Sequence, residues 1–258
     1  SPRAKAVVMR DLAAGRLDAQ EVSSEEMKDL ADLCFNCKQC ELECPSRVNI
    51  PHLMIEAKAS YVAANGLERT DWTLSRAHSF GPLGCRTAPI SNWILNSRRA
   101  RWVIEKLRGI ARHRKLPAFA TKPFLRKYGT TRPQWKRSDR AVTERVVYFV
   151  DHYANYHDRD LGLAFLAILQ HQGLEVLVPD TQTASGMAMI SAGDLDGARE
   201  LAEQNLRELC EFAREGLPIV CTEPAAALCL RQEYPRLIDH PDVELVASQV
   251  REAGAYLQ

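Results

Sequence analysis

Four cysteines, Cys34, Cys37, Cys40 and Cys44, fall within eleven residues, and Pro45 follows at once. This is C-x2-C-x2-C-x3-C-P, the spacing by which one tight loop points several thiolates at the corners of an iron–sulfur cube. Zinc sites use two separated pairs of ligands rather than four in one run, and a set of buried structural cysteines has no reason to adopt this spacing. The four residues are therefore the expected metal and cofactor ligands of a 4Fe-4S cluster, and the chemistry is transfer of single electrons. In proteins with two such clusters, the fourth cysteine of a run ligates the other cluster. Either one cluster takes all four thiolates, or Cys34, Cys37 and Cys40 hold three corners of one and Cys44 one corner of a second.

The other cysteines scatter singly as Cys85, Cys210, Cys221 and Cys229. Clustering of the first four points to metal in a reducing compartment rather than to a disulfide framework. Cys221 ends an expected strand just before a helix opened by Glu223 and Pro224. There, helix amides would lower its pKa and add it to the ligand candidates, unless it is simply a buried strand-end thiol. Cys210 and Cys229, beside Leu209, Phe212, Leu228 and Leu230, read as core residues. Asp151, His152, His157 and Asp158 follow the first expected strand and face the sheet edge where ligands of open α/β sheets bind, or else serve as caps and turns. His78, His113, His171 and His240 have no metal spacing. From Arg98 to Lys127 there are eleven Lys or Arg against Glu105 alone, with Trp102, Ile104, Leu107 and Ile110 interleaved. That stretch is either a solvated amphipathic helix and linker or a docking surface for an acidic flavoprotein domain or anionic lipid headgroups. No recognised nucleic-acid motif accompanies it.

These residues need elements to position them. The chain has 258 residues, 46% of them hydrophobic, and a formal net charge of +1, so any electrostatic steering must be local. From Ser1 to about Leu116 the pattern is helical. Ala4 to Ala14 lacks Gly and Pro, Ser23-Ser24-Glu25-Glu26 opens the next helix, and Pro51 starts another that Gly66 stops. Beyond the Pro-bearing stretch Leu116 to Pro123 the texture alternates. Arg145–Val150, Leu174–Val178 and Pro218–Cys221 read as strands, with Leu161–Gln170 and Asp194–Glu215 as helices between them, which makes an α/β unit with a parallel sheet. The most apolar run, Leu161 to Leu169, is too short to cross a bilayer, and no apolar leader precedes it. The expected location is cytoplasmic, with peripheral association on the inner face of the membrane left open. Phe35 and Leu42 are expected to be buried at the cysteine loop, limiting solvent there.

The sequence resembles the iron–sulfur half of the FAD-linked oxidase and dehydrogenase family, which includes glycolate oxidase iron–sulfur subunits, D-2-hydroxy acid dehydrogenases and the iron–sulfur subunit of anaerobic glycerol-3-phosphate dehydrogenase. Ser1-Pro2-Arg3-Ala4-Lys5-Ala6 looks like the segment that follows a first cluster run there, and Cys34 to Pro45 like the second run. Phe149-Val150-Asp151 with Asn155-Tyr156-His157-Asp158, Gly186-Met187 with Gly193-Asp194-Leu195, and Cys221-Thr222-Glu223-Pro224 look like the family's cysteine-rich module. The resemblance implies a mainly α, α-helical ferredoxin-like domain over 1–120, a linker over 121–143, and an α/β module with a parallel sheet over 144–258. Many members carry Cys-Cys-Gly where this chain has Ala184-Ser185-Gly186, so the module is expected to lack their thiolate site. It further implies a piece of a longer polypeptide that shares a second cluster with upstream cysteines and works with an FAD-binding domain or partner subunit. Electrons from a 2-hydroxy acid or glycerol 3-phosphate would pass to a quinone or other acceptor, and this chain would not be catalytic alone. A heterodisulfide-reductase-like catalytic module and a scaffold joining flavoprotein to cluster domain are the alternatives.

Overall fold

The computed structural model describes residues 1–130 and 144–258, so the latter part of the linker expected over 121–143 lies outside the described residues. The described residues divide into two compact units, Ser1–Ser75 with Ala188–Gly197, and Arg76–Met187 with Ala198–Gln258.

The first unit is helical. Ser1 caps α1 (Pro2–Ala13), its hydroxyl accepting from the Ala4 amide, with Pro2 at a position that needs no N–H. Ser24 caps α2 (Glu25–Asp32) in the same way through Met27 N. The short α3 (Gln39–Leu42) lies inside the cysteine run. Asn49 caps α4 (Ile50–Asn65), which Gly66 ends at a φ of +82°. α5 (Arg69–Ser75) closes the N-terminal segment. Met27 and Ala31 from α2 meet Ile50, Met54 and Ala57 from α4 in the unit's core, and Cys34 and Cys40 pack against its edge. The first residues of the loop are thereby tied to the most buried part of the unit.

The second unit begins with α6 (Ala77–Arg86), α7 (Ala88–Asn96) and α8 (Arg98–Arg108), followed after an extended stretch by α9 (Phe124–Thr130). The Asn92 side chain clamps that stretch by donating to Phe119 O at 3.0 Å and accepting from Phe119 N at 2.7 Å. Next come β1 (Glu144–Phe149), α10 (His152–Tyr156), α11 (Arg159–His171), β2 (Leu174–Leu177), α12 (Met187–Ala192) and α13 (Leu195–Arg214). The chain continues through β3 (Ile219–Cys221), α14 (Pro224–Leu228), a π-helical turn (Cys229–Glu233), α15 (Tyr234–Leu237), α16 (Val243–Gln249), β4 (Val250–Glu252) and α17 (Ala253–Tyr256). The four strands form one parallel sheet in the order β2-β1-β3-β4. The central β1 is buried from Val146 to Phe149, as a parallel strand covered on both faces must be. Val146, Tyr148 and Val150 pack with Phe165, Leu166 and Leu169 of α11 and with Phe124 of α9.

The sequence expectation of a mainly α half followed by a parallel α/β module holds, and its three strands and two long helices stand within a residue or two of their expected limits. The edge strand β4 was not anticipated. Among the described residues no helix is long and apolar enough to cross a membrane.

Candidate iron–sulfur site

The cysteine loop leaves α2 under tension. Cys34 N still bonds to Ala31 O at 2.8 Å, after which Asn36 and Lys38 adopt left-handed φ values of 56° and 61°. Non-glycine residues in that region cost about 1–2 kcal/mol each, and two of them in three positions fold the chain back on itself. Lys38 then opens α3, its carbonyl accepting from Glu41 N and Leu42 N, and Gln39 closes the turn by bonding the Glu43 carboxylate at 2.8 Å. Arg47, at φ 48°, makes a further left-handed turn just past Cys44.

All four thiols of the run are free. Cys34 and Cys40 are half-buried against the core, Cys37 is exposed, and Cys44 is intermediate. Burial pushes the Cys40 thiol up, and the neighbouring Cys34 and Cys37 thiolates push it further, while the amides of Cys40 and Glu41 hold it down. Cys34 and Cys37 therefore lie within electrostatic reach of the Cys40 sulfur, at which backbone N–H groups are already directed. Soft, mutually repelling thiolates are the donor set that an iron–sulfur cluster takes, so the residues present fit such a group. Among the described residues, however, no three His, Cys, Asp or Glu side chains are drawn into a closed metal-holding group. The thiols are adjacent without being gathered.

The expectation that Phe35 and Leu42 shield the loop is corrected: they are 83% and 80% exposed. The inward places are taken by Asn36 and Lys38, which are both buried and both at left-handed φ.

Behind the loop lies a network that sequence reasoning missed. The Asp32 carboxylate, two residues before Cys34, receives Lys28 Nζ at 2.6 Å and Lys58 Nζ at 3.0 Å. Lys28 also reaches Glu68 at 2.9 Å and Asp71 at 3.4 Å, and Lys58 donates to Ser191 O at 3.0 Å. Burial opposes charge on Lys28, but its carboxylate partners outweigh burial and raise its pKa. Burial likewise works against the Asp32 carboxylate, and the two lysines hold it below the usual range. The spacing of Lys28 and Asp32, one helical turn apart, was the available signal. The network joins α2, α4 and α5 to the 188–197 segment, so the base of the loop is braced from four directions.

At the carboxyl edge of the sheet the structure fills the place where relatives are expected to hold thiolates. Asp151, buried and capping α10, accepts from His152 N at 2.8 Å, Ser185 N at 3.0 Å and Ser185 Oγ at 2.6 Å. Ser185 O in turn accepts from Tyr234 Oη at 3.0 Å and from Cys229 Sγ at 3.2 Å. Asn205 ties in Thr183 N, Ala184 O and Tyr234 Oη. Burial raises the Asp151 pKa. Glu223, which accepts from Ala154 N at 3.0 Å, is pushed up to about 7 by burial and then by the Asp151 charge. Cys221 is fully buried here, and burial, with Asp151, Glu223 and Glu252 nearby, drives its thiol well up rather than down. Of the two readings given for Cys221, its burial fits the buried strand-end thiol. Cys229 is buried as expected, whereas Cys210 is only half-buried.

His157 Nδ1 lies 2.9 Å from Ala118 O and must donate to it, so its Nε2 accepts from His152 Nε2 at 3.1 Å. Burial, then His157 and His78, lower His152 to about 4, which keeps the pair neutral. Asp158 caps α11 through Leu161 N at 3.1 Å, the turn role that its residue type suggested.

Residues 1–49, which include the cysteine run, match the family described as 4Fe-4S dicluster domain. Over 196 residues the chain is 28% identical to a subunit of the anaerobic glycerol-3-phosphate dehydrogenase of Escherichia coli (strain K12), covering 76% of this chain and 48% of that protein. It is 24% identical over 252 residues to the probable glycolate oxidase iron-sulfur subunit of Bacillus subtilis (strain 168), covering 94% and 55%. It is 26% identical over 220 residues to D-2-hydroxyglutarate dehydrogenase of Escherichia coli (strain K12), covering 82% and 21%. The chain thus spans about half the length of the first two relatives and about a fifth of the third. No solved structure matches it. Its N-terminal part is of the iron–sulfur type, and the chain is related to pieces of these dehydrogenases and of an oxidase subunit, as the motifs implied.

Proposed function

We propose that this chain is the cluster-holding, electron-transfer portion of a flavin-linked oxidoreductase. The observation that carries the reading is the left-handed loop that sets Cys34, Cys37 and Cys40 within electrostatic reach of one another inside the segment matching a dicluster family. When bound, a 4Fe-4S cluster supplies transfer of one electron at a time. The protein's own part is to hold, orient and tune. Cys34, Cys37 and Cys40 ligate one cluster, Cys44 lends its thiolate to a second, and the Cys40 and Glu41 amides stabilise thiolate charge.

The partner is an FAD-binding domain or subunit, the substrate a 2-hydroxy acid or glycerol 3-phosphate, and the final acceptor a quinone or another electron acceptor, in the reducing cytoplasm or on the inner membrane face. The substrate classes draw on what the relatives are named for, and the flavin partner, acceptor and location on the family resemblance of the motifs. In this copy the α/β module is a joining element, since its sheet edge is filled by the Asp151–Ser185–Tyr234 network rather than by thiolates.

The test is iron and acid-labile sulfide per chain after anaerobic reconstitution, for the wild type and for each Cys→Ser variant. C34S, C37S and C40S each lose the bound cluster, whereas C44S retains it. Loss of all iron in C44S would replace the shared arrangement by a single four-cysteine cluster. Iron content that none of the four substitutions lowers would end the proposal.

A further inference from the structure

The C-terminal end of α7 and the first turn of α8 open onto a cleft of about 420 Å³. Its walls carry Arg98 and Arg101 from α8 and Arg112, His113, Arg114 and Lys115 from the segment that follows, with no carboxylate among the lining residues. Arg101 is only 4% exposed. Its Nη2 is pinned between Ala111 O at 2.7 Å and Arg114 O at 3.0 Å. Its Nη1 is equally shut off from solvent and finds no acceptor among the described residues. A buried cationic donor without a partner is among the costliest groups a fold can keep, and it asks for a specific explanation.

The helix makes the same demand independently. The N-terminus of α8 carries the positive end of the helix dipole, where acidic residues belong, yet its first turn holds Arg98, Arg99 and Arg101 and no acid. Glu105 offsets one of these cations, accepting from the backbone N of the lining Arg112 at 3.1 Å and lying 3.6 Å from its Nε, while the lining itself contributes no carboxylate.

We infer that the cleft around Arg101 binds a phosphate group. Clustered guanidinium forks match the geometry and charge of phosphate oxygens, and the dipole of α8, whose Ala100 amide is capped by Ser97 Oγ, adds positive potential at that end. Such a group arrives either on a lipid or on a small soluble molecule. Trp93, Trp102 and Leu107, all exposed on α7 and α8, suit the lipid source, since aromatic and apolar side chains beside a basic site enter the headgroup region. Phosphate binding here is independent of how the cysteines divide between clusters.

The experiment uses the 258-residue chain at low ionic strength. Inorganic phosphate and pyrophosphate are titrated calorimetrically, and flotation is measured with vesicles of phosphatidylglycerol in phosphatidylcholine against phosphatidylcholine alone. Wild type is expected to show saturable binding to phosphate or selective flotation with phosphatidylglycerol. R98Q/K115Q, which alters only exposed lining residues, weakens that binding about tenfold or more, because each lost charge-assisted hydrogen bond is of that order. R101K, checked for folding by circular dichroism, weakens it too, because the ammonium lacks the fork. Saturation by phosphate assigns the soluble source, and flotation without phosphate saturation assigns the lipid. Absence of both would overturn the inference, as would equal binding by R98Q/K115Q or an equal loss in R207Q/R231Q, which removes two exposed arginines elsewhere.

Discussion

Replacing Glu223 by Gln should convert a pH-dependent module into one that is insensitive at that position. Below pH 4.5 the carboxyl is protonated in folded and unfolded chains alike, so it contributes nothing to their difference. Between pH 4.5 and about 7 the folded chain keeps a proton that the unfolded chain has released, and stability falls as pH rises. Above about 7 the folded chain carries a buried negative charge beside Asp151, and the loss is complete. Retaining the proton across that window corresponds to about 3 kcal/mol at 1.36 kcal/mol per pH unit. The substituted amide does not titrate, and its carbonyl can still accept from Ala154 N. E223Q should therefore match wild type near pH 4.5 and exceed it by about 3 kcal/mol at pH 8. With a urea m-value of about 2 kcal/mol per molar, the midpoint would rise by roughly 1.5 M. Asp151 is raised as well and interacts with Glu223, so the difference between wild type and variant reports the loss of the Glu223 charge together with its effect on Asp151. Parallel urea midpoints from pH 4.5 to 8.5 would refute the argument that burial and Asp151 hold the proton on Glu223.

Asp32→Ala should destabilise the first unit by about 3 kcal/mol in urea unfolding, because it strands the buried Lys58 and takes from Lys28 the nearest of its carboxylates. Gly193→Ala should cost at least 2 kcal/mol by the same assay: φ there is +81°, and a Cβ would stand 2.7 Å from the Lys58 backbone. Phe35→Ala should change the unfolding midpoint of the chain by no more than about 0.5 kcal/mol, since the ring is already in solvent. A larger loss would show that the ring is packed after all.

What could be read from the sequence was local and periodic. The cap at Ser24, the helix start at Pro51, the stop at Gly66 and the strand–helix alternation after Glu144 each rest on a few neighbouring residues, and each appears within a residue or two of where those residues place it. The cysteine spacing was legible for the same reason. What escaped depends on distant partners. Val250-Arg251-Glu252 has no strand pattern of its own and is a strand only because β3 offers it an edge. Phe35 and Leu42 are apolar, and hydrophobicity alone placed them inside, whereas in the fold they lie on the exposed side of the loop. The basic stretch after Arg98 was visible as a charge pattern, but composition could not reveal that one of its arginines is buried with a nitrogen unmatched.

The tie between Lys58 and Ser191 spans 133 positions. On a ribosome adding about 5–20 residues per second, roughly 7 to 27 s pass between the emergence of its two ends. During that interval the helices behind the cysteine loop exist without their last brace. A nascent chain therefore has a window in which the α2–α4 core and the Lys28–Asp32–Lys58 pairing are complete while Lys58 still lacks its Ser191 acceptor.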